Sequence, residues 1–278
     1  MHFYAVVDAF AREPLEGNPV AVFFDSADIP AGRMQRIARE MNLSEVTFVL
    51  PPERGGDARV RVFTPVNELP FAGHPLLGTA VALAARFSGD RLRLETAMGV
   101  IPLELAREGG RVVSVRMLQP VPTWEPFDRE GELLDALGAE KSVLPVEIYR
   151  NGPRHVLVCL DDVASLSALT PDHRALASFE DMAVNCIAGS GTRWRSRMFS
   201  PAYGVVEDAA TGSAAGPIAV HVARHGQTPY GRRVEIVQGV EMGRPSLMLA
   251  TAREGEGGVA SVEVGGSGVL VAEGRIHV

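Results

Sequence analysis

No apolar run in this chain reaches the roughly 18 to 20 residues that a membrane-spanning helix needs. Positive charge is also in deficit, with 27 Lys and Arg against 34 Asp and Glu and a formal net charge of -7. Nucleic-acid backbones and anionic membrane surfaces are held by clustered Lys and Arg, so neither is the expected partner. The one basic run, Arg193-Trp194-Arg195-Ser196-Arg197, alternates as the solvated face of a strand would. Cysteine is nearly missing. Cys159 and Cys186 lie among apolar neighbours and form no C-x-x-C pair, which predicts two buried free thiols in a reducing compartment. The first residues, Met1 to Asp8, read as a strand and lack the basic and apolar regions of a signal peptide, so a cytoplasmic location is expected. No G-x-S-x-G elbow marks a serine hydrolase, and the glycine clusters at 254–258 and 265–268 read as hairpin loops without the strand-to-helix context of a nucleotide fingerprint. What is present is 46% apolar and 22% charged residues, the balance of a soluble globular protein with a sizeable core.

The chain also says one thing twice. Arg59-Val60-Arg61-Val62-Phe63-Thr64-Pro65 recurs as Arg195-Ser196-Arg197-Met198-Phe199-Ser200-Pro201, and Glu68 precedes Gly73-His74 by the interval that separates Glu207 from Gly212-Ser213. A fainter echo relates Gly17-Asn18-Pro19-Val20 to Asn151-Gly152-Pro153-Arg154. A repeat displaced by about half the chain predicts two similar lobes with a small-molecule pocket between them. The Pro-rich stretch Gln119 to Trp124 places the boundary, giving an N-terminal lobe at 1–118 and a C-terminal lobe at 119–278, with a last strand at about 268–278 free to return to the first lobe.

Met34, Ile37, Ala38 and Met41 fall on one face of a helix over 31–42, entered through Pro30. Pro75 to Phe87 and Ala214 to Ala223 are apolar on every side, which requires helices buried on every side. Pro217 is compatible with the second only in its first turn. The remaining segments are short strands, so the fold class is α+β: two pseudo-symmetric lobes, each a barrel-like, mainly antiparallel sheet around a buried central helix.

Each central helix begins at a glycine followed by a polar residue, Gly73-His74 and Thr211-Gly212-Ser213. Unpaired N–H groups and the positive end of the dipole suit such starts to a carboxylate or an oxyanion, although plain capping by Ser or Thr uses the same residues. The candidate proton carriers are Glu45, His74, Glu68, Glu207 and Asp208. Glu45 sits between a helix end and an apolar strand, where burial would raise its pKa; an exposed turn carboxylate is the other reading. Glu68 and Glu207 hold equivalent repeat positions, which favours a shared structural task. A helix dipole would discourage His74 from protonation. His221 and His225 have an i, i+4 spacing compatible with metal, but the sequence suggests no third ligand.

Glu16-Gly17-Asn18-Pro19-Val20-Ala21-Val22, Met41-Asn42-Leu43-Ser44-Glu45, Phe63-Thr64-Pro65 with Glu68 to Pro75, and Val206 to Ala214 together resemble the PhzF-type phenazine-biosynthesis family over essentially the whole chain. That family is similar in fold to diaminopimelate epimerase, whose acid and base are two cysteines; the matching helix starts here carry none. The resemblance implies a homodimeric isomerase of trans-2,3-dihydro-3-hydroxyanthranilate that uses no cofactor and no metal. It further implies that Glu45 moves a proton from C3 to C1 of the ring, with His74 and Asp208 as the other catalytic groups. Asn18, Ser44, Gly73, Thr211, Gly212 and Ser213 would contact the substrate, whose reactive product leaves room for a transient hand-off to the next phenazine-pathway enzyme. An epimerase or isomerase of another small amino or hydroxy acid, or a catalytically silent binding protein, would carry much of the same pattern.

Overall fold

The chain begins with an antiparallel pair, β1 (His2–Ala9) and β2 (Asn18–Phe23), in a computed structural model that describes Met1 to Val278. Helix α1 (Ala31–Met41) then crosses to β3 (Glu45–Leu50), which pairs parallel with β2. Pro30 in extended conformation caps the start of α1, and Asn42 ends it in the left-handed region at φ 50°, its N–H bonded to the Ala38 carbonyl. Next come β4 (Ala58–Phe63), the short β5 (Glu68–Leu69), and the central helix α2 (Gly73–Leu83), which passes through a 3-10 turn at Ala84–Arg86. Strands β6 (Arg91–Thr96), β7 (Gly99–Glu108) and β8 (Arg111–Gln119) complete the first half.

The second half repeats this plan. It consists of β9 (Thr123–Pro126), α3 (Glu130–Leu137), β10 (Glu147–Arg150), β11 (Arg154–Cys159), α4 (Val163–Ala168), α5 (His173–Leu176), β12 (Ala183–Ser190), β13 (Arg193–Ser200), β14 (Val205–Asp208), α6 (Gly212–Arg224), β15 (Val234–Gln238), β16 (Ser246–Gly255), β17 (Gly258–Gly266) and β18 (Gly268–Ile276). In the first half β1–β2, β3–β4, β6–β7 and β7–β8 pair antiparallel, while β2–β3 and β4–β6 are parallel. In the second, β10–β11, β12–β13, β15–β16 and β16–β17 are antiparallel, while β11–β12 and β13–β15 are parallel. The pattern is the same strand for strand. β9 flanks β10 and the C-terminal β18 flanks β1, so the last strand closes the first sheet; β8 and β17 join the two halves.

Strand parity separates the layers. In β2 and β3, Ala21, Phe23, Val46, Phe48 and Leu50 pack with Met34, Ile37 and Ala38 of α1. Val20, Val22 and Val49 face the opposite side, where α2 and α6 share one core through Leu76, Leu77, Ala80, Ala215, Ile218 and Ala219. Both faces being covered explains why these strands read as continuous apolar runs. Glu45 has the parity of Val49 and therefore projects to the α2 side.

Three expectations need correction. Pro217 lies beyond the first turn of α6, because a side chain replaces its missing N–H: Asn151 Nδ2 donates to the Ser213 carbonyl at 2.8 Å. Gly265 and Gly266 lie in β17, not in a hairpin loop, since β17 and β18 pair with different neighbours and Gly266 packs against Phe10. The Arg193–Arg197 segment is a strand, but its basic face is solvated only towards the Arg193 end. Arg197 is buried, donates to the carbonyls of Leu166, Ser167 and Leu169, and pairs with Glu207.

Candidate active site

The two central helices start against one another. A Cβ built on Gly73 would stand 2.6 Å from Ser213 N, and one on Gly212 would stand 2.8 Å from His74 N, so only glycine permits the approach. The first N–H groups of both helices, which have no intrahelical partner, therefore lie together at the junction of the halves. Around them Glu45, Gly73, His74, Thr211, Ser213 and Asp208 line a cavity of about 40 Å³, with Leu69, Ala183, Met198 and Tyr203 among its other walls. That volume holds only a few water molecules, far below the ~300 Å³ of typical ligand pockets, so a ring-sized ligand enters only when the walls part.

Asp208 ends β14 and is buried. Its Oδ1 accepts from Asn18 Nδ2 at 2.7 Å and from Ser44 Oγ at 3.0 Å, and its Oδ2 accepts from Thr211 Oγ1 at 2.8 Å. Asn18 and Ser44 belong to the first half, so these bonds join the two. They sit behind Asp208 as its donors, while Gly212 supplies the backbone junction. Burial raises the Asp208 carboxyl to about 6, with the Thr211, Asn18 and Ser44 hydrogen bonds pulling the other way.

Asn18 Nδ2 also reaches the Ala210 carbonyl at 3.0 Å and lies 3.3 Å from His74 Nδ1. With that amide nitrogen facing it, Nδ1 is the acceptor and the neutral ring carries its proton on Nε2. His74 Nε2 and Glu45 Oε2 are 3.2 Å apart, but the geometry is not that of a hydrogen bond, and neither buried atom has another partner. The contact is not an ion pair. Burial pushes the imidazole down to about 3, and burial followed by the negative charge of Asp208 pushes Glu45 well above the usual carboxylate range. Burial thus keeps His74 neutral, in the same direction as the expected effect of the helix start. Two adjacent unpaired polar atoms in a cavity form a site prepared to exchange a proton with something placed beside them.

Glu68 and Glu207 lie outside this constellation and share the structural task that their repeat positions suggested. Glu68 accepts from Arg61 Nε and Nη2 at 2.7 and 2.6 Å, and Glu207 accepts from Arg197 Nε and Nη2 at 2.9 and 3.0 Å. Each pair ties the repeat strand to the short strand leading to a central helix. Both cysteines are free and buried, and burial pushes each thiol up to about 12, so neither supplies a thiolate. The i, i+4 histidines do acquire a carboxylate neighbour. Glu147 Oε2 lies 3.2 Å from His221 Nδ1 and 3.1 Å from His225 Nε2. The same oxygen already accepts from Arg224 at 2.6 Å and from Tyr149 at 2.8 Å, so a guanidinium holds the place where a cation would sit.

Three residues of the site escaped the sequence reading. Gln238 donates to the Asp208 carbonyl and to Thr211 Oγ1 at 2.8 and 2.9 Å, fixing the turn before α6. Arg244 donates to the carbonyls of Gly17 and Glu16 and pairs with Asp8, clamping the loop that delivers Asn18. His155, buried in β11 of the second half, lines the same cavity. No local motif announces the first two. The third stands directly after the Gly152-Pro153-Arg154 echo of the Asn18 loop.

Fold and site together define a two-lobed protein of epimerase architecture with acid–base side chains in its cleft. The family model of phenazine biosynthesis-like proteins, PhzC-PhzF, matches residues 7–274, and the chain belongs to that family. It is 66% identical over 277 residues to trans-2,3-dihydro-3-hydroxyanthranilate isomerase of Pseudomonas aeruginosa, covering 100% of both chains. The crystal structure of a PhzF-family phenazine biosynthesis protein from Bacillus anthracis matches with a TM-score of 0.88 over 100% of this chain and 99% of that one, at 24% identity. A hydroxyproline epimerase from Agrobacterium vitis shares the fold with a TM-score of 0.70, at 14% identity, over 98% of this chain and 91% of that one.

Proposed function

We propose that this chain isomerises trans-2,3-dihydro-3-hydroxyanthranilate by moving a proton from C3 to C1 of the ring through Glu45. The full-length identity to the Pseudomonas aeruginosa isomerase supports the substrate. The observation that carries the chemistry is the unpaired, buried Glu45 carboxylate beside a neutral His74 in the inter-lobe cavity. Glu45 takes the C3 proton as the ring double bonds shift, then returns a proton to C1. The resulting enol tautomerises to the 6-amino-5-oxocyclohexene carboxylate, with no net change in atoms or electrons.

One base working along one ring face fits the asymmetry of the lobes. In β2–β3 Val20 pairs with Glu45, and in β11–β12 His155 pairs with Ala183; since Val46 and Val184 face the equivalent Phe63 and Phe199, Ala183 stands where the first lobe has Glu45. The second lobe therefore lacks the opposing base that a two-base epimerisation requires. The helix starts at Gly73 and Gly212 offer backbone donors for the substrate carboxylate, and the Asp208 carboxylate offers an acceptor for its amine. A raised carboxyl pKa makes Glu45 a stronger base once ionised and lets it hold the proton between the two carbons.

The test is NMR of the substrate in deuterated water with catalytic amounts of wild type beside Glu45→Gln. Wild type should consume the C3 proton, and the variant should fold and bind yet lose turnover by several orders of magnitude, on the order of the loss expected for a missing general base or more. Retention of more than about a tenth of the activity by the variant would remove Glu45 from this role.

A further inference from the structure

The second half contributes to the cavity wall a histidine that the proton shift does not use. His155 is 1% exposed and lines the cavity, and its Nε2 is buried without a protein partner. Its other nitrogen is fixed by Asn185, itself fully buried. Asn185 Nδ2 donates to the Ala183 carbonyl at 3.1 Å and lies 3.3 Å from His155 Nδ1. A carbonyl only accepts, so the amide nitrogen must be the atom that faces it. The same nitrogen then meets Nδ1, which accepts, and the neutral ring carries its hydrogen on Nε2. Burial pushes this imidazole down to about 3, which keeps it neutral at physiological pH. Asn185 is not part of the cavity wall, so the nitrogen turned away from it is the one presented to the cavity. A lone N–H donor buried beside a ligand cavity is costly unless a bound oxygen satisfies it.

We infer that His155 Nε2–H donates to the C3 oxygen of the substrate, the hydroxyl that becomes the ketone, and so selects hydroxylated rings. This rests on the proposed function. The substrate brings three polar groups to the site. Backbone donors at the helix starts match the carboxylate, and the Asp208 carboxylate matches the amine. The C3 oxygen is left to be matched; of the two unpaired ring donors in the wall, His74 Nε2 stands 3.2 Å from Glu45 Oε2 and belongs to the proton-shift pair, which leaves His155. A neutral donor suits that oxygen in both its forms, because hydroxyl and ketone each accept a hydrogen bond.

Calorimetric titration of wild type, His155→Phe and His155→Gln with 3-hydroxyanthranilate and with anthranilate tests the assignment, since the two ligands differ only in that hydroxyl. His155→Phe should weaken 3-hydroxyanthranilate about tenfold and leave anthranilate within about twofold, as expected for one buried hydrogen bond. His155→Gln, which retains an N–H, should recover part of the loss. Equal losses for both ligands, or none for either, would overturn the assignment. Nitrogen-15 NMR of the unmodified protein reads the same point without a core substitution: the His155 ring should be the Nε2–H tautomer and respond to 3-hydroxyanthranilate but not to anthranilate. The opposite tautomer, or the same response to both, counts against it. Wild-type turnover without hydroxyl-selective binding overturns the role of His155 alone. A wild type that neither binds these rings nor turns over the substrate overturns the proposed function and the role of His155 with it.

Discussion

Gly73 and Gly212 meet backbone to backbone where the two central helices begin, with no room for a Cβ on either. The contact brings the N–H groups of His74 and Ser213 into one wall of the cavity and makes the site a product of both lobes. Gly73→Ala should therefore push the helix starts apart, costing roughly 1–3 kcal/mol of stability as an overpacking change. Turnover should fall at least a hundredfold, because small misplacements of reacting groups are amplified in rate. Thermal melting and the NMR assay check both. Gly32, which has open space around it, is the control: its change to Ala should leave turnover unaltered.

The repeated Arg–Glu pairs share geometry but not surroundings. Arg61 and Glu68 have side chains 27% and 41% exposed, whereas Arg197 and Glu207 are 8% and 17% exposed. Exposed pairs contribute about 0–1 kcal/mol, while removing one member of a buried pair costs about 3–5 kcal/mol, because a charge is left without its partner. Glu207→Gln should thus lower the denaturant midpoint much more than Glu68→Gln does. Equal effects of the two changes would mean that the Arg197 contacts to the Leu166 and Leu169 carbonyls, rather than Glu207, neutralise the guanidinium.

Those pairs also explain what the sequence could and could not disclose. The RVRVF and RSRMF segments are legible as a repeat because each Arg must face a Glu across adjacent strands, seven residues later in the first copy and ten in the second. Helix α1 is legible because its apolar stripe has a helical period. Glu45 stood out through its place between a helix end and an apolar strand. What stayed hidden depends on residues brought together from distant segments. His155 needs Asn185 to fix its tautomer, and Glu147 reaches His221 only in the folded chain. The burial of Arg197 was invisible because the carbonyls that receive it belong to α4 and the turn after it.

The buried groups of the cavity give stability a pH signature of two opposite signs. Asp208 has its folded pKa raised to about 6, above an unfolded value near ~3.9, so folding takes up a proton between them. Its contribution falls as pH rises through that window. His155 is lowered to about 3, below an unfolded value near ~6.5, so folding releases a proton and its contribution rises with pH over ~3 to 6.5. Near pH 5 each group should tilt the profile by roughly 1.4 kcal/mol per pH unit. Urea unfolding between about pH 4.5 and 5.5 should then show Asp208→Asn gaining on wild type as pH rises and His155→Gln losing ground. Parallel profiles would mean that these groups titrate alike in the folded and unfolded chains.

Helix α6 carries Pro217 in its interior because another segment supplies the donor that proline lacks. Asn151 Nδ2 donates to the Ser213 carbonyl, and Gln119 Nε2 donates to that of Gly212, each at 2.8 Å. Asn151→Ala leaves the Ser213 carbonyl buried without a donor, which should cost about 1–3 kcal/mol and loosen a residue of the cavity wall. Pro217→Ala restores a backbone N–H four residues after Ser213, and in the wild-type background it should change stability little, since that carbonyl is already satisfied. In the Asn151→Ala background the same change should recover part of the loss. A double-mutant cycle by chemical denaturation measures the coupling. Strict additivity would show that Asn151 supports the site through the Gly152–Pro153 turn, and not through the helix carbonyl.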